Sequence, residues 1–135
     1  MRESAKVRER AMTKEIKIPG PDHPLTISPA EGTVRVTVAG RIVAKSAQAL
    51  RLEEKGYAPV YYLPRNDADM SLLVRTTHST YCPYKGDCSY LSIPIGGSRS
   101  ENAVWTYERS HRAVASINEY LAFYPSRVDA AEVIS

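Results

Sequence analysis

A chain of 135 residues is the size of one domain, able to bury roughly two-thirds of its unfolded surface around a single core. Hydrophobic residues at 43% and charged residues at 24% are globular proportions, which excludes a disordered chain. The formal charge of +3 is too small and too dispersed for a nucleic-acid face, and no apolar run approaches the roughly 20 residues of a membrane span.

In chain order, the first segment is charged: Arg2, Lys6, Arg8, Arg10, Lys14 and Lys17 are interrupted by Glu3, Glu9 and Glu15, a mixture that suits a solvated helix or a frayed tail. It lacks the apolar core of a secretory signal, so the protein is expected in the cytoplasm with both cysteines reduced. Pro19-Gly-Pro-Asp-His-Pro24 stops any helix from entering the body. Residues 1–20 therefore read as an appendage and 21–135 as one domain.

Val34-Arg-Val-Thr-Val38 alternates apolar with polar, Gly40 offers a turn, and Ile42-Val-Ala44 resumes the apolar run, which together predict a β-hairpin. Residues 46–54 fit either a helix or a strand. The strand reading is preferred because Lys55-Gly56 resembles a turn leading to the β-branched and aromatic stretch Tyr57 to Leu63. Asn66 or Asp67 is expected to cap a short helical turn through Ala68 to Leu73. Strands follow at about Thr80–Pro83, Cys88–Ile93 and Ala103–Tyr107, the first two joined around Lys85-Gly86. Ser110 is placed as the cap of a helix from His111 to about Glu119, with Val114, Ile117 and Leu121 on one face and Pro125 beyond it. The expected architecture is mainly β, a β-rich α+β domain of coiled or partly closed antiparallel sheet with one or two short helices.

Five segments carry a resemblance. They are Gly40-Arg-Ile-Val-Ala-Lys-Ser46, Tyr57-Ala-Pro-Val-Tyr-Tyr-Leu-Pro-Arg65 with Asp67, Thr80-Tyr-Cys-Pro-Tyr-Lys-Gly86 with Tyr90, Ala103-Val-Trp-Thr-Tyr107, and Ile117-Asn-Glu-Tyr-Leu-Ala-Phe-Tyr-Pro125 with Val128. In this order they resemble the family catalogued as domain of unknown function 427, across about residues 25 to 130. The resemblance implies a compact, mostly β fold with no established activity, and it marks Arg65, Asp67, Thr80, Cys82, Lys85, Gly86, Tyr90, Trp105, Tyr107 and Tyr124 as fitting the family pattern. Cys88 and the run Glu108-Arg-Ser-His111 depart from that pattern and inherit no role. Some family labels carry a nucleotidyltransferase-like name. That chemistry in its polymerase-like form needs a Gly-Ser turn followed by two carboxylates that hold metals. Here Asp67-Ala-Asp69 precedes Gly97-Ser98, the reverse order, and neither a phosphate loop nor a dinucleotide fingerprint is present.

Four chemistries can be weighed from the residues. Cys82, near Lys85 and His78, is either a thiolate nucleophile or, more simply, a small buried hydrophobe. A Cys82–Cys88 disulfide depends on hairpin register. A two-residue Lys85-Gly86 loop sets Cys82 against Ser89, and a three-residue loop with Gly86 left-handed sets it against Cys88. Zinc held by His78, Cys82, Cys88 and His111 does not fit the usual paired spacing, so no metal or cofactor is expected, and His23 and His111 read as surface residues. The preferred site is a pocket for a small polar or anionic ligand at the Cys-Pro-Tyr-Lys-Gly turn, formed by Arg65, Asp67, Thr80, Cys82, Lys85 and Tyr90 with Trp105 and Tyr107 as an apolar wall. The alternatives are an enzyme using Cys82 or Lys85 on a small substrate and a protein-interaction module. No catalytic residue and no oligomeric state is assigned.

Overall fold

Alternation in the sequence becomes alternation in burial: Val34, Val36 and Val38 are buried along Thr33–Val38, while Thr33, Arg35 and Thr37 lie half-buried between them. The computed structural model describes residues 14–134, so residues 1–13 of the appendage expected over 1–20 lie outside the described residues. Its strands are β1 (Leu25–Pro29), β2 (Thr33–Val38), β3 (Arg41–Ser46), β4 (Leu50–Glu54) and β5 (Val60–Tyr62), then β6 (Val74–Cys82), β7 (Gly86–Ser92), β8 (Val104–Thr106), β9 (Leu121–Phe123) and β10 (Ala130–Ile134).

They form three antiparallel sheets with the orders β1-β4-β5, β10-β2-β3 and β6-β7-β8-β9, and none closes into a barrel. The β2–β3 hairpin turns at Ala39 and Gly40, with φ of 51° and 76°, as a two-residue turn with both central residues left-handed requires. Asp129 supports the strained alanine by accepting its N–H at 2.7 Å. The β1-β4-β5 and β6–β9 sheets are joined by a bridge in which Leu63 and Leu121 exchange backbone hydrogen bonds of 2.8 Å.

The β6–β9 sheet is covered on both faces. Leu91, Val104, Leu121 and Phe123 face a core shared with Val34, Val36, Val38 and Val43. Cys88, Tyr90, Tyr107 and Ala122 face a second cluster with Leu52, Tyr62, Val114 and Ile117. The β-rich single domain is as the sequence predicts.

Local differences have physical causes. The first helical turn is a pair of 3-10 turns, Arg65–Asp67 and Met70–Leu72, and the capping carboxylate is Asp69, which accepts from Ser71. The longer helix is a 3-10 segment, Arg112–Ile117, broken at Val114. A spacing of three between Val114 and Ile117 suits the 3-10 period as well as the α period. Ser110 does not cap it, because its N–H and hydroxyl are engaged by Asn118 Oδ1.

The hairpin after β6 follows neither register the sequence suggested. Cys82 pairs with Gly86 and Thr80 with Cys88, so both cysteines remain free. Pro83 is the reason: its fixed φ suits the second position of a turn, closed here by the Lys85 N–H on the Cys82 carbonyl at 3.2 Å. Gly86 then takes φ 112°, and a Cβ there would stand 3.1 Å from the Arg109 carbonyl. Gly86→Ala is expected to lower the unfolding free energy by about 1–3 kcal/mol, measurable as a shift of the urea midpoint. A midpoint equal to wild type would show that this backbone tolerates a side chain.

Candidate functional site

Strand register brings three separated residues together. Leu25 pairs with Glu54 at the end of β1–β4, which sets His23, two residues earlier, beside that carboxylate. The Cys82–Lys85 turn approaches from the other sheet. His23 Nε2 donates to Glu54 Oε2 at 2.8 Å and Lys85 Nζ to Glu54 Oε1 at 2.6 Å, and the Cys82 thiol lies 3.8 Å from Lys85 Nζ. Lys85 is only 8% exposed, and a buried lysine needs such a partner. Burial pushes the Glu54 carboxyl up, but the hydrogen bonds from Lys85 and His23 outweigh it and hold it below its ordinary value. The His23 ring stacks on Tyr84 at 4.1 Å.

This ion pair lies at a cavity of about 360 Å³ between the two sheets, walled by Leu52, Val60, Tyr62, Tyr90, Trp105, Tyr107 and Tyr124, with Tyr57 and Cys82 also lining it. The wall is an alternation read across strands: Tyr90 of β7 pairs with Trp105 of β8, which pairs with Ala122 of β9, so their side chains share one face. Trp105 Nε1 donates to the Tyr62 hydroxyl at 3.2 Å, and Thr80 and Tyr90 hydroxyls meet at 2.9 Å. Burial raises the phenols of Tyr62, Tyr90 and Tyr107 above their ordinary value, so they remain protonated donors at neutral pH. Burial likewise pushes the Cys88 thiol up.

Of the sequence-derived site residues, Cys82, Lys85, Tyr90, Trp105 and Tyr107 line this cavity. Thr80 stands behind Tyr90. Arg65 and Asp67 do not join them. Arg65 donates to the Glu119 carbonyl at 2.7 Å, Thr106 Oγ1 at 3.2 Å and Glu108 Oε2 at 3.0 Å, and Thr106 lies on the face of β8 opposite Trp105. Asp67 accepts from the Ser46 hydroxyl at 2.6 Å. The two carboxylates of Asp67-Ala-Asp69 are thus each engaged locally, Asp69 by Ser71. His78 packs on the Tyr90 ring and His111 near Tyr81. Among the described residues no three His, Cys, Asp or Glu side chains form a metal-holding group.

His23 is half-buried rather than a free surface residue, and Glu54 joins it as a site residue with no motif of its own. Neither carries a local signal, because 31 residues separate each of the pairs His23–Glu54 and Glu54–Lys85 and only sheet pairing unites them.

Arg65 instead belongs to a surface cluster in which Arg75 grips Glu108 through 2.6 and 2.8 Å hydrogen bonds. These bonds, opposed by partial burial and aided by the charges of Arg75 and Arg65, hold the Glu108 carboxyl down to about 2. A depressed carboxyl stabilises the fold above its unfolded value, near 4.5, and that contribution is lost as pH falls towards about 2. Glu108→Gln is expected to flatten the fall in unfolding free energy over this acid range by up to about 1 kcal/mol, given the exposure of the cluster. Denaturant titrations at successive pH values measure it, and parallel wild-type and variant curves would contradict the assignment.

No helix among the described residues is long and apolar enough to cross a membrane. No curated protein matches the chain significantly. Residues 26–134 match the profile of the family described as "Domain of unknown function (DUF427)". With most of its length inside that match, and the Cys-Pro-Tyr-Lys-Gly turn at one end of its aromatic cavity, the chain belongs to this family of unknown function.

Proposed function

We propose that the protein binds a small, flat, polar molecule in the cavity beside the Cys82–Lys85 turn. The observation that carries this reading is an ion pair, Glu54–Lys85, set among six aromatic side chains in a space of about 360 Å³. A functional pocket typically has a volume of ~300–1,000 Å³, mostly apolar, with a few convergent polar groups. Rings of Trp105, Tyr62 and Tyr107 offer flat contact, while the ion pair presents a donor and an acceptor side by side. Lys85 is already neutralised by Glu54, and Arg65 is occupied by Glu108, so a neutral polar edge suits this site better than a free anion.

Trp105 is the single tryptophan of the chain, so its fluorescence reports on the cavity directly. Benzamide and 4-hydroxybenzamide are expected to quench it saturably, and Lys85→Met to weaken binding by about tenfold, or about 1.4 kcal/mol. Quenching that never saturates, or an affinity indifferent to both Lys85→Met and Tyr107→Ala, would dismiss this reading.

A protein-interaction role draws on a different observation. Ile16 and Ile18 are 65% and 81% exposed beside an apolar depression at His111, Arg112 and Ala113. Replacing both isoleucines with Asp is expected to abolish any self-association seen by gel filtration, and a monomer at all concentrations in the wild type would remove self-association as the basis of this role.

A further inference from the structure

A lysine ammonium carries three N–H donors. Lys85 Nζ directs one to Glu54 Oε1 at 2.6 Å and has only the Cys82 thiol, at 3.8 Å, as a further partner among the described residues. A purely structural ion pair gains from satisfying all its donors, since each one left unmet in a low-dielectric setting is costly. Here the incompletely satisfied nitrogen borders a cavity large enough for a ring with a substituent. The carboxylate it touches has a second oxygen bound at 2.8 Å to His23, whose side chain is 25% exposed. Nζ, Oε1, Oε2 and Nε2 thus form a continuous relay from the cavity towards solvent, a path along which a proton leaving the nitrogen can be carried as it attacks.

From this geometry we infer that Lys85 forms a protonated imine with an aldehyde or ketone held in the cavity, with Glu54 as proton carrier and counter-ion. The inference rests on the cavity being a ligand site, as proposed above, and names the ligand's reactive group.

In the reaction, Glu54 takes one proton from the Lys85 ammonium. The freed lone pair forms the N–C bond to the carbonyl carbon as the C=O π pair moves onto oxygen. Glu54 then shuttles a proton from nitrogen to that oxygen, giving the carbinolamine, and delivers its own proton as the hydroxyl leaves as water. The nitrogen lone pair closes the C=N bond. Ammonium, carboxylate and carbonyl thereby become iminium, carboxylate and water, with charge conserved, so the same 2.6 Å partner serves the product as it served the amine. Condensation with a carbonyl creates no new charge in an apolar space, which distinguishes it from binding an anion there. The protonated phenols of Tyr62 and Tyr107 line the same cavity and can donate to the carbonyl oxygen while the N–C bond forms.

The test uses 4-hydroxybenzaldehyde and its non-electrophilic twin, 4-hydroxybenzyl alcohol, with sodium cyanoborohydride to reduce any imine to a stable amine. Peptide mass mapping locates the adduct, and Trp105 fluorescence follows occupancy. The expected result is one adduct, on Lys85, formed well before any on the surface lysines. It is absent in Lys85→Arg, and it forms roughly 100-fold more slowly in Glu54→Gln. Saturable binding of both compounds with no adduct on Lys85, or labelling of Lys85 no faster than that of Lys45 or Lys55, would overturn the inference and leave the binding site standing. Absence of saturable binding by either compound, with no selective adduct, would overturn both. Lys85→Met serves as the second variant if Lys85→Arg does not fold, and an adduct pattern unchanged in either would equally refute the assignment.

Discussion

The contact between Lys85 and Glu54 decides how the two halves of the cavity stand. A buried lysine is tolerated because a carboxylate from the facing sheet lies at 2.6 Å, and the carboxylate is tolerated because it also holds His23. Removing either charge strands the other in a low-dielectric space, a penalty of several kcal/mol rather than the small loss of a surface pair. The aromatic wall set by strand alternation and the turn set by Pro83 meet at this contact, which also places the Cys82 thiol 3.8 Å from Lys85 Nζ.

The turn meets that requirement through backbone chemistry. Pro83 fixes the second position, the Lys85 N–H closes on Cys82, and Gly86 accepts a φ that a side chain would resist. The Lys85 carbonyl in turn receives the His111 N–H at 2.9 Å, and His111 Nδ1 meets the Pro83 carbonyl at 3.1 Å. The short 3-10 segment that follows His111 is therefore anchored to the turn it flanks.

Much of the fold was legible because the period of two is strong: the β2–β3 hairpin, the strand at Leu50–Glu54 and the alternation of Trp105 and Tyr107 all follow from it. Less legible were edge strands such as β1, where only Leu25 and Ile27 are partly buried, and β10, whose central residues 131–133 are exposed. For the site, Cys82 and Lys85 sit at one turn, Tyr90 follows on the next strand, and Trp105 and Tyr107 alternate in and just beyond β8, so local motifs carry all five to the cavity. Arg65 fits the family pattern and the chemistry of an anion-binding fork, yet its guanidinium turns to Glu108 on the other side of β8. Glu54 and His23 escaped notice because charge pairing across two sheets leaves no trace in linear spacing.

The Leu63–Leu121 bridge gives the cavity an unequal construction. At that end its two walls share a pair of backbone hydrogen bonds, which no ligand in the cavity competes for. At the other end they meet through side chains, Lys85 on Glu54, and a ligand's polar edge competes for those same groups. The two ends therefore differ in kind: the backbone contact is indifferent to what fills the cavity, whereas a molecule that engages Lys85 must share a group already committed to the facing sheet.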